Sequence, residues 1–275
     1  MQQITSKENQ LIKHIIKLKE KKYRKEYNQF IIEGVKIVKE AINENANIEN
    51  IIVSKNALDS ELVKKYLEEE LRNINYIEVP ENIFKLISDV EKPQGVLAIV
   101  NKENKKQNVD YSNSIMLALD DIQDPGNLGT IIRTADSIAL SQILISKGTV
   151  DPYSLKVIRS TMGAIFRINI LECENLSKTL EEIKKKGYDV VVTDLDAKKS
   201  IYDINLEKKV VVIGNEANGV SKNVKNIANI KTIIPMLGKT ESLNASVATG
   251  VILYEYVRQK IKWISQKKGR YHGKR

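Results

Sequence analysis

From residue 115 to residue 264 the chain alternates short apolar runs of strand length with longer stretches of helical period, and this alternation constrains the fold more than any other feature. Strands are expected at 115–119, 142–145, 168–171, 189–193, 209–213 and 230–234. Helices are expected at 127–139, 154–164, 175–186, 220–227 and 243–264. Strands separated by helices pair in parallel, because the crossover carries the chain back to the starting edge of the sheet. The expected fold class is therefore α/β, a mostly parallel sheet covered by helices on both faces. Such sheets bind ligands beyond the carboxyl ends of their strands, so the loops that follow strands are the places to look for chemistry.

A shorter alternation precedes it. A helix over 7–25, strands near 30–32, 51–53, 76–79 and 96–100, and helices at 35–42, 60–71 and 80–86 make a smaller α/β module. Between the two series, 102–114 is almost wholly polar and without period, as an interdomain linker is. The expected division is a first domain at 1–101, a linker at 102–114, a second domain at 115–265 and a basic tail at 266–275.

Charge narrows the partner. The net charge is +9, which suits a polyanion, since lysines and arginines placed on phosphates release counterions. The charge also sits at the ends. From Arg258 to Arg275 there are eight basic residues and no acidic one, and Lys17, Lys19, Lys21, Lys22, Arg24 and Lys25 crowd the first helix. Trp263 and Tyr271 in the tail are candidates for stacking on bases or for plain packing. One cysteine, Cys173, and two histidines, His14 and His272, leave no Cys/His set for a metal and no intramolecular disulfide. No run is long enough to span a membrane, and the start of the chain lacks a secretory apolar block. A cytoplasmic protein is the expectation.

Three loops after strands stand out. In the first, Pro125 and Gly126 turn the chain toward Asn127, with Arg133 further along the helix. Asn127 is either a helix cap or a site residue, and Arg133 either a solvated charge or a functional one. In the second, a buried strand runs into Gly214, Asn215, Glu216 and Gly219, where backbone can approach a ligand. The glycine spacing is near that of a phosphate-binding loop, but Val220 stands where that loop needs its lysine. In the third, Ile234, Pro235, Met236 and Gly238 lead to Ser242, Leu243, Asn244, Ala245 and Ser246. Ser242 or Asn244 is placed to cap the helix that follows. That helix is apolar almost all round, so it needs more than one covering surface, such as the sheet and a second subunit.

Taken together, these segments resemble the motifs of the SpoU (TrmH-like) branch of the SPOUT RNA methyltransferases over about 112–264. The match rests on Asn127 with Arg133, on Gly214, Asn215, Glu216 and Gly219, and on Ile234 to Met236 with Ser242 to Ser246. The first module, with Phe30, Glu33, Gly34, Glu40 and Ala41, is similar to the family's L7Ae/L30e-like RNA-binding domain. The resemblance implies a C-terminal trefoil knot, a homodimer and S-adenosylmethionine as cofactor. It implies methylation of a ribose 2′-hydroxyl in structured RNA, with 23S ribosomal RNA favoured over transfer RNA. It assigns Arg133, Asn127, Glu216, Asn244 and Ser246 to the reaction site, and Gly214, Asn215, Gly219, Ile234, Met236 and Leu243 to the cofactor. Ala245, where the family usually has valine, is the one departure. The rival readings are a non-catalytic RNA-binding protein and a small-molecule enzyme on an α/β fold.

Overall fold

A computed structural model describes residues 2–102 and 108–271, with side chains described as far as 261. The expected stacking residues Trp263 and Tyr271 and the charges beyond 261 lie outside the described side chains, and 272–275 lie outside the described residues. In chain order, the first elements are β1 (Gln2–Gln3), α1 (Gln10–Leu18), α2 (Lys21–Glu26), β2 (Gln29–Glu33), α3 (Val35–Asn43) and β3 (Ile48–Ser54). There follow α4 (Glu61–Tyr66), α5 (Glu68–Asn73), β4 (Ile77–Val79), α6 (Glu81–Ile87) and β5 (Val96–Asn101). Then come β6 (Ile115–Asp120), α7 (Pro125–Ser137), β7 (Gln142–Ser146), α8 (Leu155–Thr161), β8 (Asn169–Cys173) and α9 (Leu176–Lys185). The last are β9 (Asp189–Thr193), β10 (Lys209–Gly214), α10 (Lys222–Ile227), β11 (Ile230–Thr232) and α11 (Ala245–Tyr271).

The chain folds as two compact units: Met1–Lys105 with Asp151–Arg167, and Lys106–Val150 with Ile168–Arg275. The helix expected at 154–164, placed in the second domain by the sequence, packs with the first unit. Leu155 of α8 is buried in the first unit's core with Ile31, Phe84, Leu97 and Ile99. A buried ion pair fastens the same segment. Arg24 is 4% exposed, its Nε and a terminal nitrogen donate to Asp151 Oδ2 at 2.9 and 2.7 Å, and its other terminal nitrogen donates to the Leu18 and Lys19 carbonyls. Arg24 is thus a structural residue, although the sequence grouped it with the basic cluster expected to meet a polyanion. Lys19 is likewise engaged, donating to the Ser88 carbonyl at 2.7 Å.

The first unit carries a five-stranded sheet in the order β1-β4-β3-β5-β2. β5 runs antiparallel to both β2 and β3, so the sheet is mixed. The expected 7–25 helix is two helices, because Glu20 adopts an extended conformation (φ −95°, ψ 136°) between α1 and α2.

The second unit carries six strands in the order β11-β9-β10-β6-β7-β8, and every pairing is parallel. β6 is buried along its whole length and β10 on all but its first residue, as expected of central strands covered on both faces. The order also locates the crevice. The chain runs from β6 outward through β7 to β8, then places β9 on the other side with β10 between β9 and β6. Ligands in open α/β sheets bind at such a reversal, beyond the strands' carboxyl ends.

α7 and α11 pack together, with Ser137 Oγ and Tyr254 OH 3.2 Å apart. α11 is not covered all round. Val247 is 51%, Tyr254 53% and Ile261 61% exposed. No helix among the described residues is long and apolar enough to cross a membrane, and no group of three or more His, Cys, Asp and Glu among them is placed to hold a metal ion.

Candidate active site

The loops after β6, β10 and β11 meet at the reversal point through side chains that each motif contributes. α7 begins at Asp124, whose carboxylate accepts the Asn127 backbone N–H at 2.7 Å, and Pro125 takes the first helical position, where its missing N–H costs nothing. Asp124 is therefore the cap. Asn127, 8% exposed, has its side chain free for other partners. It donates from Nδ2 to Glu216 Oε1 at 2.9 Å and accepts at Oδ1 from Asn244 Nδ2 at 2.8 Å.

Glu216 ties down the first loop. Besides Asn127, it accepts the backbone N–H of Gln123 at 3.1 Å and of Asp124 at 3.3 Å. Burial works to raise the Glu216 pKa, but the Asn127 side chain and the surrounding backbone N–H groups more than offset it and hold the carboxyl below its usual range. The group is thus an anion that organises donors.

Asn244 closes the relay at the other end. Its Oδ1 accepts from Ser246 N at 2.9 Å, Ser246 Oγ at 2.6 Å and Val247 N at 3.4 Å, which caps α11. Asn244 is thus both a cap and a link. Ser246 serves that cap, since its hydroxyl donates to Asn244. The outcome is a continuous line from Glu216 through Asn127 and Asn244 to Ser246, spanning all three motifs.

The second loop has its own logic. Asn215 and Gly219 exchange backbone hydrogen bonds at 3.0 and 2.9 Å, and Asn215 Oδ1 accepts the N–H groups of Ala217 and Asn218. Asn215 Nδ2 reaches the Asp121 carbonyl at 2.8 Å. A Cβ on Gly214 would lie 2.2 Å from the Gly219 carbonyl carbon and the Val220 nitrogen. Gly214 is therefore required by closure of its own loop. Gly219 has φ +66° and open space around it; the left-handed turn selects glycine there.

These loops enclose a cleft of about 580 Å³, within the range of nucleotide-sized sites. Gly214, Asn215, Gly219, Ile234, Met236 and Leu243 all line it, with Glu216 and Asn244 at its wall. Asn127 and Ser246 join it only through these last two. Arg133 is not brought to it. Six residues after Asn127, it lies about 9 Å further along α7, is exposed, and has no hydrogen-bond or ion-pair partner among the described residues.

A fourth loop, 193–196 after β9, also lines the cleft, and the sequence reading missed it. Its Asp194 faces Lys225 at 3.2 Å and Lys231 at 3.8 Å. Burial pushes the Asp194 pKa up, but the Asp196 N–H and these lysines prevail and keep it below the ordinary value. Asp120 was missed as well: buried at the end of β6, it accepts the Ser221 N–H at 2.8 Å. The available signal in both cases was an acidic residue directly after an apolar strand.

Comparison with known proteins agrees with this fold. Residues 114–254 match the model of the SpoU rRNA Methylase family, and residues 9–98 match an MRM3-like substrate binding domain. The chain is 32% identical over 255 residues to the 23S rRNA (guanosine(2553)-2′-O)-methyltransferase RlmP of Bacillus subtilis, covering 92% of this chain and 98% of that protein. An AdoMet-bound rRNA methyltransferase from Sinorhizobium meliloti superposes with a TM-score of 0.80 at 31% identity, covering 94% of this chain and 98% of that one. A crystal structure of an RNA 2′-O ribose methyltransferase gives a TM-score of 0.78 at 29% identity, covering 94% and 99%.

Proposed function

The chain belongs to the SpoU rRNA methylase family, and from that premise we propose that it methylates a ribose 2′-hydroxyl of structured RNA from S-adenosylmethionine, with 23S ribosomal RNA as the substrate class. The observation that carries the proposal is the relay from Glu216 through Asn127 to Asn244, which holds three strand-end loops around one cleft.

The cleft fits that cofactor. Leu195, Ile213, Ile234, Met236 and Leu243 supply apolar walls for a flat base. Asp194, Asp196, Glu216 and Glu241 against the single Lys225 make the lining acidic on balance, which favours a cationic ligand. When bound, S-adenosylmethionine supplies an electrophilic methyl on a positively charged sulfur.

The rest of the chemistry is positioning and charge. Glu216 and Asn127 fix the start of α7, and α7 carries Arg133. A guanidinium stays protonated, so Arg133, exposed and outside its own chain's cleft, acts at the cleft of a second copy by pairing with an RNA phosphate and with the negative charge that develops on the 2′-oxygen as its proton leaves to solvent. Holding the hydroxyl oxygen in line with the methyl supplies much of the remaining rate. The exposed Val247, Tyr254 and Ile261 on α11, beside α7, support a homodimer whose second copy covers this face. The threading of β10 between β9 and β6 after β8 supports the family's C-terminal trefoil knot. A cytoplasmic location belongs to the same proposal.

Arg133→Ala is expected to abolish methyl transfer while calorimetric binding of S-adenosylmethionine stays normal. Full turnover in that variant removes Arg133 from the site. The product linkage is expected to resist alkali, because a methylated 2′-oxygen no longer attacks the neighbouring phosphodiester. An alkali-sensitive product rejects the ribose assignment.

A further inference from the structure

On the first unit, remote in sequence from the cleft-forming loops, the corner between α1 and α2 gathers aromatic rings and lysines in an arrangement that the fold does not need. The rings of Tyr23 and Tyr27 lie nearly parallel, 17° apart with centroids at 6.2 Å. His14 stands across Tyr27 at 4.7 Å and 75°. The ammonium groups of Lys17 and Lys22 are 5.6 and 5.5 Å from the Tyr23 ring. A packing role would bury these rings, yet Tyr27 is 37% exposed. A structural role would also pair the lysines. Although Glu20 and Glu26 lie in the same segment, neither Lys17 nor Lys22 has an ion-pair partner among the described residues. Two like charges held beside one ring repel each other until an anion comes between them.

The platform is also held in place. His14 Nε2 is 2.6 Å from Gln29 Oε1. Gln29 Nε2 donates to Asn101 Oδ1 at 2.8 Å, and Asn101 Nδ2 donates to Glu49 Oε2 at 2.9 Å. This chain of side chains runs across the ends of β2, β5 and β3, where β2 and β3 begin and β5 finishes. The ring positions are therefore set before any ligand arrives.

We infer that the α1–α2 corner of the first unit is a binding site for an unpaired nucleotide of RNA, with the base stacked on Tyr27 and the adjoining phosphate on Lys17 and Lys22. The inference rests on the proposed RNA substrate, and it names a contact that reading leaves open. Rings with an accessible face stack any base, and flanking lysines hold the backbone, so the site selects single strands over duplex. Charge complementarity favours this occupant over an apolar partner.

The test uses the full chain, a fluorescein-labelled single-stranded oligouridylate, a blunt RNA duplex, and no methyl donor. Tyr27→Ala is expected to weaken oligouridylate binding roughly tenfold, the lower part of the range for one lost stack, and to leave duplex binding unchanged. Tyr27→Phe, which keeps the ring, is expected to bind as the wild type does. In the Lys17→Gln, Lys22→Gln double variant, the slope of log affinity against log salt is expected to fall by about 1.4. Wild-type affinity in Tyr27→Ala, equal losses on both probes, or no oligouridylate binding by the wild-type chain overturns the inference. Because no methyl transfer is read, failure of the proposed reaction leaves this result standing. Unchanged oligouridylate binding by a Tyr27→Ala chain sinks this site and leaves the proposed reaction untouched.

Discussion

Replacing Glu216 by glutamine removes the charge and one of the two acceptor oxygens that organise the loop before α7. Glu216 receives three N–H groups, from Asn127, Gln123 and Asp124, at 2.9, 3.1 and 3.3 Å. Hydrogen bonds to an ionised group contribute about 1.5–3 kcal/mol net, against about 0.5–1.5 for neutral ones. The glutamine keeps at most its one oxygen and turns an NH₂ toward a backbone donor. Solvent reaches Glu216, which argues for the lower values, and the loss comes to about 2 kcal/mol, or roughly 30-fold in the opening equilibrium of the loop. Amide hydrogen exchange at Gln123 and Asp124 reads this directly, since their N–H groups are the donors.

The pH dependence fixes the cause. The Glu216 pKa in the folded chain lies below its ordinary value of 4.5. A depressed carboxyl contributes stability that is fully present above the unfolded pKa and lost as pH falls through the folded one. The protection ratio between wild type and Glu216→Gln is therefore expected to be constant above about pH 5 and to shrink below 4.5. Equal exchange in the two chains at neutral pH, or a ratio that does not change with acid, would refute the assignment of Glu216 as an ionised clamp.

Three further substitutions probe other parts of the molecule. Gly214→Ala forces a Cβ to within 2.2 Å of the Gly219–Val220 peptide, so calorimetry is expected to show loss of S-adenosylmethionine binding; normal affinity means the loop can rearrange. Asn244→Ala removes the α11 cap and Asn127's donor and is expected to cost about 1–2 kcal/mol in urea unfolding, with transfer impaired more than stability. Arg24→Ala leaves the Asp151 carboxylate, whose side chain is 11% exposed, without its counter-ion; a loss of about 3–5 kcal/mol is expected in thermal unfolding, with cofactor affinity intact because the cleft lies in the other unit.

The second unit was legible because β6, β9 and β10 carry unbroken apolar runs and lead into acidic residues or glycine, so strand ends and site loops announce themselves together. The cap of α7 was legible too: Pro125 belongs at the first helical position, which makes Asp124 the residue before it, yet the eye goes to Asn127. Other features leave no mark in a linear pattern. The apolar spacing of α8 is the same whichever core it enters, and amphipathic period says that a face is buried without saying against what. The break between α1 and α2 occurs at Lys19 and Glu20 with neither glycine nor proline to signal it. The need for glycine at 214 against the Gly219–Val220 peptide follows only from the course of its own loop. Arg24 reads as one charge among six, and the counter-ion that lets it be buried, Asp151, is 127 positions away.

The return of 151–167 to the first unit has a consequence for biosynthesis. Domains emerging from the ribosome normally fold as units, the N-terminal one first. Here the residues that seat Leu155 in the first core and neutralise Arg24 are translated only after β6, α7 and β7 of the next unit have been made. The leading half must wait, with part of its core uncovered and a cation without its mate, while its successor is already under way. Neither half can be excised by cutting at the polar segment near 102–114 without taking something that belongs to the other.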